Sequence, residues 1–253
     1  LSRRKMDKEG FKEAFDKLQS KVDVLEKVES EVTTSFTIDT DEWKYSVQNS
    51  ETKSTNQFLR VVTWNIWFDP HYQPLRFNKL ILCLLDRNPD VICLQEVTTE
   101  VAALIRSSII LGSIYSCSEN SIRSYGVLIL AKKQLGATFK EVLFEETFMD
   151  RSLLIAELNP SIDDESLSYL KDSAIATVHL ESLNSKRARQ AQLLSSNREL
   201  SKYKNVILCG DFNFDDTQEW GDWRKSAAKE SRSSQELENN VLNMAISGYR
   251  DMW

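Results

Sequence analysis

The sequence contains no long apolar run and no excess of positive charge, and each absence excludes a class of protein. No apolar stretch approaches the roughly 18 residues that a membrane-spanning helix needs, so we expect no membrane partner. The 32 basic and 38 acidic residues give a formal net charge of −6, which argues against broad electrostatic clamping of nucleic acid. An anionic substrate must therefore be held by a local patch and a metal ion.

The cysteines and the first residues indicate the cellular compartment. Cys83, Cys93, Cys117 and Cys209 have no paired spacing, and three of them lie in or beside apolar runs. This pattern indicates buried free thiols in a reducing compartment rather than disulfides or a zinc site. The first ten residues lack the apolar core of a signal peptide and an initiator Met, so we expect an intracellular chain cut from something longer.

Residues 1–57 differ in composition from the rest, and we predict that they form an N-terminal helix and a polar linker. The linker, 33–56, is rich in Ser and Thr, with one short strand around Trp43–Val47. Five apolar residues recur at alternating four- and three-residue spacing, which favours a solvated helix or, alternatively, a helix that binds a protein partner. They are Phe11, Phe15, Leu18, Val22 and Leu25.

Residues 58–253 alternate strand and helix patterns and are predicted to form one α/β domain. The predicted fold is two mixed β-sheets packed face to face, with helices outside them. The predicted strands and helices include strands at 61–66, 91–94, 138–144, 153–158 and 206–208, and helices at 75–86, 185–200 and 235–246.

Four apolar runs end on polar residues of types that bind metal or phosphate. A carboxylate or histidine at the exit of a buried strand costs desolvation free energy unless it has a partner. Taken singly, each residue is explained as a turn residue, a helix cap or a core histidine. Together they predict a site assembled from the ends of neighbouring strands, and they are Asn65, Glu96, His179, Asp211 and Asn213.

Seven strings between Leu59 and the end of the chain carry a resemblance to a known family. They are TWNIWFD, PDVICLQEVT, DRSLLIAEL, TVHLES, RQAQL, NVILCGDFNFDD and GYRDMW. In this order they resemble the endonuclease/exonuclease/phosphatase family with the deoxyribonuclease-I-like fold, and most of all its tyrosyl-DNA phosphodiesterase branch. The resemblance implies a four-layer α/β sandwich that here lacks its last strands.

The resemblance also implies a role for each candidate residue. Glu96 is similar to the carboxylate that holds Mg²⁺, with Mn²⁺ as an alternative ion, and Asp211 to the residue that deprotonates the attacking water. Asn65 and Asn213 match the amides that hold the scissile phosphate, and His179 matches a donor to that phosphate. The substrate-binding residues implied by the resemblance are Arg151, Ser182 and Arg189. Arg189 and Gln192, on one helix face, also match a supporting pair of the family.

The implied function is metal-dependent hydrolysis of 5′-phosphotyrosyl bonds at DNA ends, which serves repair of topoisomerase adducts in the nucleus, or alternatively in the cytoplasm. Another nuclease or phosphatase of the superfamily is the first alternative. A catalytically impaired interaction protein, docking through residues 1–57, is the second. Relatives carry a terminal Ser-Asp-His motif that is absent after Trp253, so we expect this polypeptide to turn over substrate far more slowly than they do.

Overall fold

The computed structural model describes residues 58–161, 165–182, 186–213 and 248–250, together with the backbone of 37–40 and 43–46. The predicted heptad-like N-terminal helix and the helix predicted at 235–246 lie outside these residues. The chain divides into two compact units, one of Leu1–Phe58 with Phe68–Pro89 and one of Leu59–Trp67 with Asp90–Trp253. Among the described residues, no helix has the length and apolar character to span a membrane.

Among the described residues, the first unit contains one pair of strands and one helix. Strands β1 (Thr37–Thr40) and β2 (Trp43–Ser46) pair antiparallel, whereas the sequence predicted a single strand here. Helix α1 (Gln73–Arg87) confirms the predicted helix, and a proline stands in its first turn, where a missing N–H costs nothing. It ends at Asn88, whose left-handed backbone (φ 44°) lets its N–H donate to the carbonyl of Leu84.

The second unit holds two four-stranded mixed sheets, as predicted. The first sheet has the order β3-β4-β6-β5, and the second β10-β9-β8-β7. In each sheet one pair is parallel, β3 with β4 and β9 with β10, while the other neighbours are antiparallel. The strands are β3 (Val61–Asn65), β4 (Val91–Thr98), β5 (Tyr115–Cys117), β6 (Tyr125–Lys132), β7 (Thr138–Leu143), β8 (Ser152–Leu158), β9 (Ser173–His179) and β10 (Asn205–Asp211).

Three α-helices lie in the described part of the second unit. Helix α2 (Thr99–Ser107) is capped by Thr98, whose hydroxyl accepts the N–H of Val101. Helix α3 (Ile109–Ile114) was not predicted, because its IILGSI sequence is too short and too apolar to show a helical period. Helix α4 (Lys186–Leu200) confirms the helix predicted at 185–200.

Two apolar clusters hold these layers together. The first lies between the sheets and is formed by one face of β4 and β6 against one face of β8 and β9, including Cys93, Ile129, Leu154 and Ile175. The second lies between the other face of β8 and β9 and helix α4, where Leu193 and Leu200 are buried. Side chains that alternate along β8 therefore enter both clusters, which explains its almost continuous apolar sequence. All four cysteines are free, as predicted, but only Cys93 is fully buried, whereas the other three are partly exposed.

Gly210 brings the end of β10 against β9 in a way that no other residue can. Its φ of +135° is a conformation that side chains with a Cβ rarely adopt, and a Cβ here would lie 2.0 Å from the carbonyl oxygen of Val178. The glycine therefore precedes Asp211 because the backbones must approach closely at this point.

We predict that Gly210→Ala lowers the free energy of unfolding by at least about 3 kcal/mol, because backbone must move at a strained position. The matched control is Gly112→Ala in α3, where an added Cβ meets nothing within 4 Å. The control should leave stability unchanged or raise it by roughly 0.5–1 kcal/mol. Urea unfolding followed by tryptophan fluorescence measures both, and equal stability of the two variants would contradict the steric argument.

Candidate active site

Four parallel strand ends meet at one edge of the two sheets. Asn65 is the last residue of β3, His179 the last of β9 and Asp211 the last of β10, while Glu96 lies near the end of β4. The pairing register puts Asn65 opposite Gln95 and Asp211 opposite His179. The sequence prediction that these side chains share one location agrees with this geometry.

The amide of Asn65 joins the two carboxylates. Its Nδ2 donates to Oε1 of Glu96 at 2.9 Å and to Oδ2 of Asp211 at 2.8 Å. Its Oδ1 accepts the backbone N–H of Trp67 at 3.0 Å, which fixes which side of the amide faces the carboxylates. A single neutral side chain therefore holds two acids from different sheets together.

A β-bulge aims Glu96 at this edge. The pairing of β4 with β6 shifts between Leu94 and Val97, and Glu96 has a left-handed φ of 59°. In a regular strand, consecutive side chains point to opposite faces, and Gln95 already points between the sheets. The bulge breaks this alternation and re-aims the carboxylate, which is a common use of bulges near functional sites.

Gln95 ties the two sheets together directly beneath the carboxylates. Its buried Nε2 donates to the hydroxyl of Thr63 at 3.0 Å on β3 and to the hydroxyl of Thr177 at 3.0 Å on β9. It also reaches the carbonyl of Cys93 at 3.1 Å. Because a buried polar group costs free energy unless it is paired, this contact favours one relative position of the sheets. The sequence analysis did not identify Gln95 as a structural link.

His179 is neutral, and Arg151 decides which of its nitrogens carries the proton. Nη1 of Arg151 lies 2.9 Å from Nδ1 of His179, and a guanidinium can only donate. Nδ1 is therefore the acceptor, so the proton is on Nε2, which lies 3.7 Å from Oδ2 of Asp211 and 3.9 Å from Oε1 of Glu96. The imidazole thus presents a donor toward the space beside the carboxylates.

Burial and the neighbouring guanidinium of Arg151 lower the pKa of His179 to about 4, although Asp211 and Glu96 act in the opposite direction. The imidazole is only 3% exposed, and this dominance of desolvation is the expected result for a base removed from water. His179 is therefore uncharged at neutral pH in the absence of bound ions.

Arg151 is a buried cation with no carboxylate partner among the residues that the structure describes. It is 4% exposed, and its Nη2 reaches the hydroxyl of Tyr125 at 3.4 Å and the sulfur of Met149 at 3.4 Å. Its guanidinium carbon lies 5.1 Å from the centre of the Tyr125 ring, a cation–π contact. Its Nε has no hydrogen-bond partner. A buried guanidinium in this condition is suited to an anion such as phosphate.

The other predicted site residues lie at or behind this edge. Asn213 donates its backbone N–H to Oδ1 of Asp211 at 2.9 Å and its Nδ2 to the carbonyl of Leu180 at 2.8 Å. Ser182 contacts the sulfur of Met149 at 3.2 Å. Arg189, predicted on the substrate side, is instead 2% exposed and donates Nη1 to the carbonyl of Glu181 at 2.9 Å, so it lies in a supporting layer behind the site.

Tyr125 was missed by the sequence analysis. It is the first residue of β6, its ring centre lies 6.1 Å from that of His179, and it stacks against Arg151. Because β6 runs antiparallel to β4, its first residue lies at the edge where β4 ends. Nothing in the local string SYGVLIL marks this residue as part of a site.

Residues 62–244 match the Endonuclease/Exonuclease/phosphatase family, which is most of the chain. The chain belongs to this family. Comparison with curated protein sequences gave no match.

Three solved structures share this fold. A humanized D. rerio TDP2 with 14 mutations has a TM-score of 0.53 and 24% identity over 67% of this chain and 66% of its own. D. rerio TDP2 with a single-strand DNA product has a TM-score of 0.53 and 25% identity, over 63% and 62%. TDP2 from C. elegans has a TM-score of 0.53 and 26% identity, over 68% and 55%. The matched part of this chain spans less than two thirds of each relative.

The residues present fit a divalent metal of the kind that enzymes of this family use. Glu96, His179 and Asp211 each offer a ligand atom, and these atoms lie within 4.8 Å of one another. The two carboxylates supply the oxygen donors that Mg²⁺ prefers. Nε2 of His179 is protonated while Arg151 occupies Nδ1, so the imidazole is a hydrogen-bond donor rather than a ligand.

The depressed pKa of His179 predicts a pH-dependent stability of the metal-free protein. The folded imidazole takes up a proton only near pH 4, whereas the unfolded one does so near its ordinary value of 6.5. The stabilisation is therefore complete above pH 6.5 and is lost as the pH falls toward 4. We expect the free energy of unfolding to fall by about 2 kcal/mol between about pH 6.5 and 5.

Urea unfolding in the presence of a chelator measures this change. His179→Gln should lose that part of the pH dependence, because it removes the imidazole and keeps a polar side chain. An unchanged slope in His179→Gln would show that another group is responsible.

Proposed function

We propose that the chain is a divalent-metal-dependent phosphodiesterase that hydrolyses 5′-phosphotyrosyl bonds at DNA ends. The observation that carries this proposal is the side-by-side placement of two acids and two donors. Glu96 and Asp211 create a site for a cation, while the N–H of His179 and the guanidinium of Arg151, which has no carboxylate partner among the described residues, create a site for an anion. A phosphodiester with its metal ion needs both kinds of site, in contact with each other.

Glu96 is proposed to hold the metal ion, Mg²⁺ or alternatively Mn²⁺. When bound, such an ion neutralises negative charge on the phosphoryl oxygens. Asn65 keeps the Glu96 carboxylate in place through Nδ2 without adding a positive charge that would compete with the ion.

Asp211 is proposed to orient and deprotonate the attacking water. Both of its oxygens are already fixed, Oδ2 by Asn65 and Oδ1 by the backbone N–H of Asn213. A base held in this way keeps its remaining lone pairs in a defined direction, which favours in-line attack on phosphorus. In this arrangement Asn213 acts through Asp211, and its predicted direct contact with phosphate is not part of our proposal.

His179 and Arg151 are proposed to stabilise the phosphoryl group. The Nε2–H of His179 donates to one oxygen, and the guanidinium of Arg151, which has no carboxylate partner among the described residues, suits another. Arg151 stacks on Tyr125, so an aromatic leaving group bonded to the same phosphate would meet a cationic and aromatic surface. This surface supports a tyrosyl leaving group rather than a simple sugar–phosphate one.

A nucleic-acid end is proposed as the other half of the substrate. The D. rerio TDP2 structure at 25% identity contains a single-strand DNA product, which supports DNA for this chain. With a tyrosyl leaving group, the reaction would reverse topoisomerase adducts in DNA repair. We accordingly propose the nucleus as its location.

The first test compares substrates. We expect Mg²⁺-dependent release of tyrosine from a 5′-phosphotyrosyl oligonucleotide, and no hydrolysis of an inositol polyphosphate. Asp211→Asn should reduce the rate by about 10²–10⁴-fold, because a positioned general base is lost while the side chain keeps its shape. Hydrolysis of the inositol phosphate alone would instead identify a small-substrate phosphatase of the same family.

The second test isolates the metal site from turnover. Glu96→Gln should weaken Mn²⁺ binding at least about tenfold by isothermal titration calorimetry, because an anionic oxygen ligand is replaced by a neutral amide. The matched control is Glu165→Gln, an exposed acid in a short turn of helix outside the site. Equal Mn²⁺ affinity of the two variants would exclude Glu96 as the ligand.

A further inference from the structure

Glu181 is a buried carboxylate to which the proposed reaction assigns no role. It is 0% exposed and lies two residues after His179. Removing a carboxylate from water costs several kcal/mol unless hydrogen bonds and nearby charge compensate. Among the described residues Oε1 has no hydrogen-bond partner, so Oε2 and its electrostatic surroundings supply that compensation.

Oε2 of Glu181 accepts donors from two directions. The hydroxyl of Thr147 lies at 2.9 Å and the backbone N–H of Phe148 at 3.1 Å, both in the loop between β7 and β8. Nε2 of Gln192, on helix α4, lies at 3.2 Å. The carboxylate therefore connects a surface loop to a helix of the core.

Thr147 connects Glu181 to the backbone of Arg151 by hydrogen bonds. The hydroxyl of Thr147 donates its hydrogen to Glu181. The oxygen of the same hydroxyl accepts the backbone N–H of Arg151 at 2.9 Å and that of Met149 at 3.3 Å. The position of the Arg151 backbone is thus set through one hydroxyl by one buried carboxylate.

Helix α4 keeps Glu181 in place. The backbone N–H of Glu181 donates to Oε1 of Gln192 at 2.9 Å, and Nη1 of Arg189 donates to its carbonyl at 2.9 Å. Gln192 also donates to the carbonyl of Glu146 at 2.8 Å, which fixes the start of the same loop. The loop between β7 and β8 is therefore held by Glu181 at Thr147 and Phe148, and by Gln192 at Glu146.

The charge of Glu181 also suits this position. Arg151 is buried without a carboxylate partner among the described residues, and an acid nearby lowers the free-energy cost of burying it. The charges of Arg151 and Glu181 both act on the His179 imidazole, because Arg151 lowers its pKa and Glu181 raises it. Glu181 and Arg151 thus act on the imidazole in opposite directions.

We propose that Glu181, acting through Thr147, is the positioning residue that places the Arg151 guanidinium against His179 and the scissile phosphate. This inference rests on the proposed function for the identity of the anion that Arg151 contacts. It assigns to Glu181 a role in substrate affinity and turnover that exceeds its contribution to stability.

The test is a double-mutant cycle on the full 253-residue chain. The first readout is binding of a 5′-phosphorylated single-stranded oligonucleotide by fluorescence anisotropy, and the second is turnover of the phosphotyrosyl substrate. Thr147→Val removes the hydroxyl at constant shape and should weaken binding about tenfold, whereas Thr147→Ser should stay within about twofold of the unchanged protein. Glu181→Gln should act like Thr147→Val, and the two together should cost no more than one.

The deciding comparison uses Arg151→Met, which removes the guanidinium and keeps much of its volume. In that background Thr147→Val should have no further effect on binding, because nothing remains to be positioned. An equal loss in both backgrounds would overturn the inference and leave Thr147 with a structural role only. Thermal unfolding of every variant identifies any loss that arises from misfolding.

These outcomes separate the two proposals. Binding without hydrolysis would refute the proposed reaction, while the binding cycle would still decide the role of Glu181. Hydrolysis with additive effects would overturn the inference about Glu181 alone. Failure of the unchanged protein to bind the phosphorylated end would overturn the inference about Glu181, because Arg151 would then have no phosphate to meet, while the turnover assay would still decide the proposed reaction.

Discussion

The site depends on one neutral amide that holds two like charges together. Two unit charges about 4 Å apart repel by roughly 4 kcal/mol at an effective dielectric constant of ~20, and a hydrogen bond to a charged group contributes about 1.5–3 kcal/mol. The two donated bonds of Asn65, at 2.9 and 2.8 Å, are thus of the size needed to offset that repulsion. Asn65 and Asp211 belong to different sheets, so this balance exists only while the sheets keep their relative position. The inter-sheet core and the Gln95 amide maintain it.

Beside this acidic pair, the protein keeps a cation and a neutral donor, and their separation explains the protonation state of His179. A carboxylate neighbour alone would favour imidazolium, which would then form an ion pair with Asp211 and fill the acidic site. Burial and Arg151 prevent this by lowering the pKa of His179 to about 4. The acids therefore stay available to a metal ion, and the imidazole keeps one N–H that is not committed to an ion pair. Charge balance in the site is achieved by placement of groups rather than by their mutual neutralisation.

The sequence predicted the two-sheet fold and the convergence of the polar residues that end apolar strands, because a polar residue after a buried run is visible without knowledge of pairing. Tyr125 was missed because it begins a strand, and its place at the site follows from the antiparallel direction of β6, which the sequence does not reveal. Arg151 was found only through the family resemblance. It stands just before β8, and its place at the site follows from the antiparallel pairing of β8 with β9. Arg189 shares a helix face with Gln192, but spacing could not show that this face points to the back of Glu181. The bulge at Glu96 was likewise unpredictable, because it is a property of pairing rather than of composition.

Because the sheets are mixed, two groups of side chains meet at this edge, and strand direction determines which strands contribute each group. The parallel pairs β3–β4 and β9–β10 end here and contribute the acids, the amide and the imidazole. The antiparallel strands β6 and β8 begin here, and Tyr125 and Arg151 stand at or just before their first residues. Strand β6 has 8 residues. At a rise of about 3.3 Å per residue, a β6 running parallel to β4 would carry Tyr125 to the opposite edge, some 25 Å away. An all-parallel arrangement of the same strands could therefore assemble the acidic half of the site, but the cationic and aromatic half would be out of reach of any phosphate bound beside it.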